Sequence, residues 1–294
     1  MKSSETLRRK VNNASDLLSI VRTMKAHAVA SIRQYEDAAH AIAEFNRTID
    51  LSFQYLMRSK PKEAWTREAT KDGVTGAILL GSDQGMCGGF NERLVSFALN
   101  ELEEDVNPQR APKFFAVGAR LIPHIEAQGA ELQEIYRVPN SLAGITALIQ
   151  KLITQVDPWR TELAVGRVCM IYQRRSASGI VTPRCVWLFP VDRRFLSRFE
   201  KLNWNHRSLP YHRASWDSLY YNTVRQHVFV TMYRALADSL QSENASRLAA
   251  MQRAEKNIEE LLEELVWQRN HLRQASITSE LLDIVSGYEA VKCE

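Results

Sequence analysis

Residues 7–49 read LRRKVNNASDLLSIVRTMKAHAVASIRQYEDAAHAIAEFNRTI. Two seven-residue series interleave in this stretch. One is Leu7, Ala14, Val21, Ala28, Tyr35, Ile42 and Ile49; the other is Val11, Leu18, Lys25, Ile32, Ala39 and Asn46. Eleven of these 13 positions are apolar, about twice what a 45% hydrophobic chain would place there by chance. A 3.5-residue repeat held this long predicts a helix wound left-handedly against a partner helix. Lys25 and Asn46 are the exceptions. Polar residues at core positions fix register; Lys25 has a second reading, as a point where another protein meets the helix pair.

The helix breakers support the same reading. All nine prolines, and every glycine but Gly287, fall between Pro61 and Pro210, so residues 1–60 and 211–286 contain neither. Those stretches are 60 and 76 residues long, far beyond an ordinary globular helix. As single helices they would span roughly 90 and 114 Å, whereas a compact chain of this length has a radius of gyration of about 19 Å. The expectation is a rod attached to a globule. The C-terminal arm is predicted helical from about Ser215 to Val285. Met251, Ile258, Leu265 and Leu272 recur every seven, with Leu261, Ala275 and Leu282 on the same side. Glu255, Glu259, Glu260, Glu263 and Glu264 read as a solvated face, and Gly287 as a helix stop.

Residues 1–60 hold 10 Lys and Arg against 6 Asp and Glu, and residues 211–294 hold 9 against 12. A basic and an acidic arm suit two helices lying side by side. Both arms meet the middle segment at their inner ends, so they must pair antiparallel. Counted from those ends, residue 1 lies level with about residue 271. The C-terminal arm then outruns its partner by roughly 16 residues, about 24 Å, and leaves His271 to Val285 as a lone apolar tip. Such a tip would be an exposed patch in water unless it sits inside something.

The middle alternates strand-like and helical runs. Strands are expected at Gly76–Leu80, Phe114–Val117, Arg167–Gln173 and Arg184–Pro190. Helices are expected at Asn91–Glu104, onward from Val117 to about Gln128, and at Leu142–Val156. This pattern predicts an α/β domain of Rossmann-like type with a largely parallel sheet. Residues 191–214 read as a connection or edge element. The domain limits are 1–60, 61–210 and 211–294.

Composition excludes several classes. The 24% charged content rules out disordered and collagen-like chains. No apolar run reaches about 18 residues, so no transmembrane helix is expected, and the opening MKSSETLRRK lacks an apolar signal core. Cys87, Cys169, Cys185 and Cys293 show no CxxC or zinc spacing, as in a reduced intracellular protein. The net charge of +4 is weak support for a nucleic-acid partner.

The loop from Gly81 to Asn91 joins a strand to a helix, where phosphate-binding loops sit. It has neither the GK[ST] of a P-loop nor GxGxxG, and reads as a tight structural turn packing helix against sheet. Cys87 at the helix start has no His or Asp tied to it by a motif. The histidines at 27, 40, 124, 206, 212, 227 and 271 form no ligand set, and no GxSxG is present. No catalytic, cofactor or metal site is expected.

Three segments resemble the gamma subunit of F-type ATP synthases. Residues 242–251, SENASRLAAM, and 270–287, NHLRQASITSELLDIVSG, are similar to the family's ExxxRMxAM and NxxRQAxITxELxEIVxG. Residues 82–91, SDQGMCGGFN, are similar to SDRGLCGGFN. Residues 22–30, RTMKAHAVA, match KAMKMVAAA more weakly. In order and spacing the resemblance covers the whole chain. It implies a central rotor shaft: two terminal helices in an antiparallel coiled coil inside a ring of three alpha and three beta subunits, and an α/β domain standing on the membrane c-ring and holding the epsilon subunit. ATP chemistry would belong to the beta subunits, so the chain would be a non-catalytic part of an ion-translocating complex. The resemblance implies no nucleic acid and no direct small-molecule ligand. It places the chain peripherally on the cytoplasmic face of a bacterial inner membrane.

Residue by residue, Arg273 and Gln274 match the pair that contacts a beta-subunit loop, and Met24 and Lys25 the region facing beta's acidic C-terminal segment. Ile277, Leu281, Leu282, Ile284 and Val285 match the tip in the apolar bearing of the ring. Ser82, Asp83, Gly85, Cys87, Gly88 and Gly89 match the central-domain loop. Gln84, Met86, Leu248, Ile258 and His27 depart from the pattern, as does the opening run from Asp16 to Val21. The paired regulatory cysteines of the chloroplast form are absent. These departures mark a divergent gamma, for which the alternative, sodium-linked (N-type) bacterial ATPases are a candidate home. Two rival readings are an α/β enzyme with a coiled-coil arm, which would need a substrate motif within 70–210, and a static coiled-coil scaffold or nucleic-acid binder, which would need no lone apolar tip.

Overall fold

A computed structural model describes residues 2–59, 73–103, 111–191, 193–204, 208 and 210–292. The expected limits at residues 60–61, the helix end at Glu104, and Cys293 lie outside the described residues. The first helix, α1, spans Lys2–Arg58 and the last, α6, Trp216–Lys292, 57 and 77 residues. Between them run β1 (Val74–Leu80), α2 (Phe90–Glu103), β2 (Lys113–Val117), a 3-10 turn (Ala119–Leu121), α3 (Ile122–Ala127), β3 (Glu131–Tyr136), α4 (Leu142–Glu162), β4 (Val165–Arg175), β5 (Val181–Phe189) and α5 (Arg193–Glu200). The chain packs as two compact units, Val29–Ser246 and Met1–Ala28 with Arg247–Glu294.

The larger unit is built on one sheet of order β3-β2-β1-β4-β5, with β4 and β5 antiparallel and every other pair parallel. β1 is buried on both faces, which its GAILL run dictates. Alternation then sorts the side chains. Ile78, Leu80, Phe115, Val117 and Met170 face one core with Ile145, Ile149, Leu152 and Trp159 of α4, Tyr35 of α1, and Val228, Met232 and Leu236 of α6. Ala77, Leu79, Phe114, Ala116, Cys169 and Ile171 face a second core with Leu94 and Ala98 of α2 and Ile125 of α3. Each fully buried Leu, Ile or Phe contributes about 1.5–3 kcal/mol. The inner halves of both end helices are therefore parts of the α/β core. Ser239 Oγ of α6 also donates to the Leu80 carbonyl at 3.2 Å.

Two elements differ from expectation. β3 was not foreseen: ELQEIY is polar because it forms a sheet edge, and only Tyr136 is buried. α5 lies where a connection was expected. Its Leu196 and Phe199 pack with Ile49, Phe53 and Leu56 of α1 and Val230 of α6. In that cluster His227 lies 5.5 Å from Phe53 and 4.5 Å from Phe195, ring to ring, and its Nδ1 is buried without a hydrogen-bond partner. Burial first, and the Arg198 charge second, hold its pKa at about 4. The imidazole is neutral in the fold at pH 7. A depressed histidine stabilises the fold above its unfolded pKa of about 6.5, and that stability is lost as pH falls toward 4. The loss is up to about 3 kcal/mol. Asp50, pushed up by burial, has the opposite slope, so the comparison needs His227→Phe. Urea midpoints of the wild type are expected to fall between pH 7 and 4.5, and those of the variant to fall less.

In the smaller unit the heptad reading of α1 holds. Ala14, Val21 and Ala28 are buried, and Leu7, Val11, Leu18 and Lys25 are half-buried. Ile32, Tyr35 and Ile49 continue the buried series in the larger unit. The seam of α6 needs correction. Met251 and Leu265 are buried and Ile258 half-buried, but Leu261 is exposed and Leu262 takes its place. Leu272, Ala275 and Leu282 are exposed. Gly287 does not stop the helix, which runs to Lys292. A single glycine in a helix costs about 1 kcal/mol against alanine and does not by itself end it.

Candidate subunit-contact site

The first candidate is a polar station on the helix pair. Lys25 Nζ donates to Glu255 Oε2. Arg22 Nε donates to Glu255 Oε1 at 3.0 Å, and Arg22 Nη2 to Glu259 Oε1 at 2.7 Å. The Lys25 hydrogen bond, then that of Arg22, holds the Glu255 carboxyl below the usual carboxylate range. Glu255 and Glu259 are thus paired across the seam, a correction to the solvated-face reading; Glu260, Glu263 and Glu264 are exposed. Lys25 serves the register of the pair, and Met24 beside it is half-buried. Lys25 stands opposite Glu255, not near residue 247 as the equal-count register implies. In the larger unit α1 runs 21 residues from Leu56 to Tyr35 while α6 runs 27 from Trp216 to Glu243, on the Trp216–Leu56 hydrogen bond and the Tyr35–Glu243 interaction. α6 spends more residues over the same stretch. At the register of the ion pairs Lys2 lies level with about residue 278, so less of α6 outruns α1 than expected.

The second candidate is the far end of α6. Every side chain from Arg269 to Ser286 is exposed. Ile277, Leu281, Leu282, Ile284 and Val285 are each 50–68% exposed, and Trp267 stacks on His271 at 5.5 Å. Arg273 and Gln274 lie 18 residues beyond Glu255, about 27 Å along the helix. The structure therefore does not bring them together with Met24 and Lys25; the two predicted pairs stand at two levels. The sequence reading put Glu255 and Glu259 on a solvated face and gave Arg22 no role of its own. The signal available was Lys25 itself, a charge on a seam that needs a carboxylate opposite.

The third candidate is the loop between β1 and α2. Asp83 Oδ1 accepts from the Ala119 amide and Oδ2 from the Val138 amide, both at 2.8 Å. Asn91 Nδ2 donates to Ser82 Oγ at 2.9 Å, and Asn91 Oδ1 accepts from the Ser82 amide at 3.1 Å. Cys87 Sγ lies 3.6 Å from Ser82 Oγ and is buried. Gly118, at φ 115°, has no room for a Cβ, which would meet Ser82 N at 2.7 Å. Gly88 sits at φ 62°, while Gly85 and Gly89 have space around them. Asp83 accepts from amides that follow β2 and β3, so this loop at the end of β1 ties three strand ends together. Asp83→Ala is expected to cost about 2–3 kcal/mol for two charge-assisted bonds, read as a lower urea midpoint.

Among the described residues no helix is long and apolar enough to cross a membrane, and no three His, Cys, Asp or Glu side chains are grouped to hold a metal ion. A family profile described as ATP synthase matches residues 3–291. Curated relatives with the name ATP synthase gamma chain match over the same length. One from Nitratiruptor sp. is 25% identical over 299 residues, covering 99% of this chain and 100% of the relative. One from Glaesserella parasuis is 26% identical over 296 residues, with the same coverage. The chain belongs to the ATP synthase gamma-chain family. A solved chain of the Euglena gracilis mitochondrial ATP synthase, OSCP/F1/c-ring, has the same fold at a TM-score of 0.62 and 16% identity, over 99% of this chain and 95% of that one. For a gamma-family chain the exposed apolar end of α6 and the long helix pair are the features that call for partners.

Proposed function

We propose that this chain is the central shaft of a rotary F-type ATP synthase or ATPase, with no catalytic site of its own. The observation that carries this reading is the pairing of two uninterrupted helices of 57 and 77 residues, the longer ending in an exposed apolar face. Three functional segments follow: residues 1–60 and 211–294 as the shaft, and 61–210 as the domain that meets the epsilon subunit and the c-ring. The shaft stands within three alpha and three beta subunits. Met24 and Lys25 contact beta at one level, Arg273 and Gln274 at a second, and the tip turns in the apolar bearing. A shaft with unlike sides biases each beta conformer by differential contact free energy, the only way contact can shift such an equilibrium. The chain is peripheral to a bacterial inner membrane, on its cytoplasmic face. Co-expression with candidate alpha and beta subunits tests this. The expected product holds one copy of this chain with three of each. A chain that stays alone in their presence, or that binds and turns over nucleotide unaided, contradicts it.

A further inference from the structure

Two free thiols stand on one face of the same strand pair. Cys169 lies in β4 and Cys185 in β5, the antiparallel edge of the sheet. The register sets Cys169 opposite Trp187 and Cys185 opposite Ile171, so the two cysteines are diagonal neighbours. An irregularity between Val168 and Cys169 adjoins the pair. Both side chains belong to the second core: Cys169 is fully buried in it, and Cys185 is half-buried against it. Their thiols share a hydrogen bond. Cys87, by contrast, has Ser82 and Gln84 beside its sulfur. Arg167 lies over the Trp187 ring at 4.2 Å, and its charge acts on Cys169.

We propose that Cys169 and Cys185 form a redox site, oxidised by a hydroperoxide to an intrachain disulfide that ties the edge strand β5 to β4. Exposure orders the steps. Of the two sulfurs only that of Cys185 belongs to a side chain with an accessible part, so it meets the oxidant first. Its thiolate attacks a peroxide oxygen, the O–O bond breaks, and a sulfenic acid forms as the other oxygen leaves in water or an alcohol. The Cys169 sulfur then attacks the Cys185 sulfur. The S–S bond forms as the S–O bond breaks, and the hydroxyl leaves as water with the Cys169 proton. Two electrons pass from two thiols to one peroxide. A thiol this close captures a sulfenic acid by condensing with it. The hydrogen bond with Cys185, then burial, holds the Cys169 thiol well above its usual range. Cys169 therefore rests as a thiol, which suits the second step and not the first, and the Arg167 charge favours the thiolate that this second step needs. Reduction by a dithiol restores both thiols. This site goes beyond the rotor reading and does not depend on it.

The test is treatment of the folded full chain with hydrogen peroxide, then unfolding in an alkylating reagent and peptide mapping by mass spectrometry without reduction. The expected product is a linked peptide pair joining Cys169 to Cys185, lighter by two hydrogens than the sum of the reduced peptides and separated by dithiothreitol. Alkylation at both positions should be lost. Cys169→Ser should leave Cys185 as a sulfenic acid that dimedone traps. Cys185→Ser should abolish the link and leave Cys169 reduced. Thiols that both stay free, a link that forms only when peroxide is added in urea, or links only between chains would overturn the proposal. So would a Cys169 that is oxidised in the Cys185→Ser chain, or a Cys185 that dimedone never labels in the Cys169→Ser chain. If a serine variant does not fold, the wild-type map in the absence and presence of urea still decides the matter.

Discussion

A chain ending at residue 271 is expected to fold and assemble like the full one but to couple poorly. Side chains from Arg269 to Ser286 are all exposed, so the deletion removes little buried surface from the helix pair within that stretch. The change in stability should stay within about 0.5 kcal/mol, as for other surface changes. The effect on coupling is of another size. Ile277, Leu281, Leu282, Ile284 and Val285 each gain about 1.5–3 kcal/mol when fully buried. A bearing that holds them loses several kcal/mol of contact free energy on truncation. ATP hydrolysis by the assembled complex should persist, while ions moved per ATP fall several-fold, measured by dye quenching in vesicles. Dissociation of the complex would contradict this division of labour, as would full coupling.

The largest loss of stability is expected from Leu265→Pro. Leu265 is 7% exposed and lies deep in α6. Proline removes the hydrogen bond to the Leu261 carbonyl and its ring clashes there, about 3 kcal/mol or more. Deleting the buried leucine adds a packing loss, which Leu265→Ala measures separately. Circular dichroism should show lost helix at 222 nm (an ordinary helix band) and a first melting step at lower temperature. Because Met251 and Ile258 lie on the inner side of the lesion, the α/β unit should retain its own transition. A melt identical to wild type would contradict a continuous helix through this position.

The helix pair was legible because its physics is periodic. None of the 13 positions picked out of residues 7–49 is fully exposed. β1 was equally readable, since a short apolar run between Gly-rich turns has few other fates. β3 was not. An edge strand needs one buried side, and in ELQEIY the buried member is a tyrosine whose hydroxyl donates to Glu134, which also accepts from Trp159. Trp159 lies outside the window that periodicity examines. α5 escaped for a related reason: RRFLSRFE is eight residues long, and its helical fate depends on Phe53 and Val230 supplied from elsewhere.

The site divided in the same way. The exposed end of α6 followed from counting residues, although the register slipped because α6 spends more residues than α1. Which glutamates face the seam did not follow. Glu255 and Glu260 are alike in sequence, and only the rotation of α6 against Arg22 and Lys25 separates them. The roles of Met24, Lys25, Arg273 and Gln274 rest on resemblance, since exposure alone says that a partner is wanted and not which one.

Rotation itself is the most direct measurement. Complexes of this chain with its alpha and beta subunits are fixed to a surface through the ring, and a bead is attached to a cysteine placed at exposed Tyr211. On adding ATP, the bead is expected to turn continuously in one direction in three steps per revolution. A bead that stays fixed while the same complexes hydrolyse ATP would contradict the reading of this chain as the shaft.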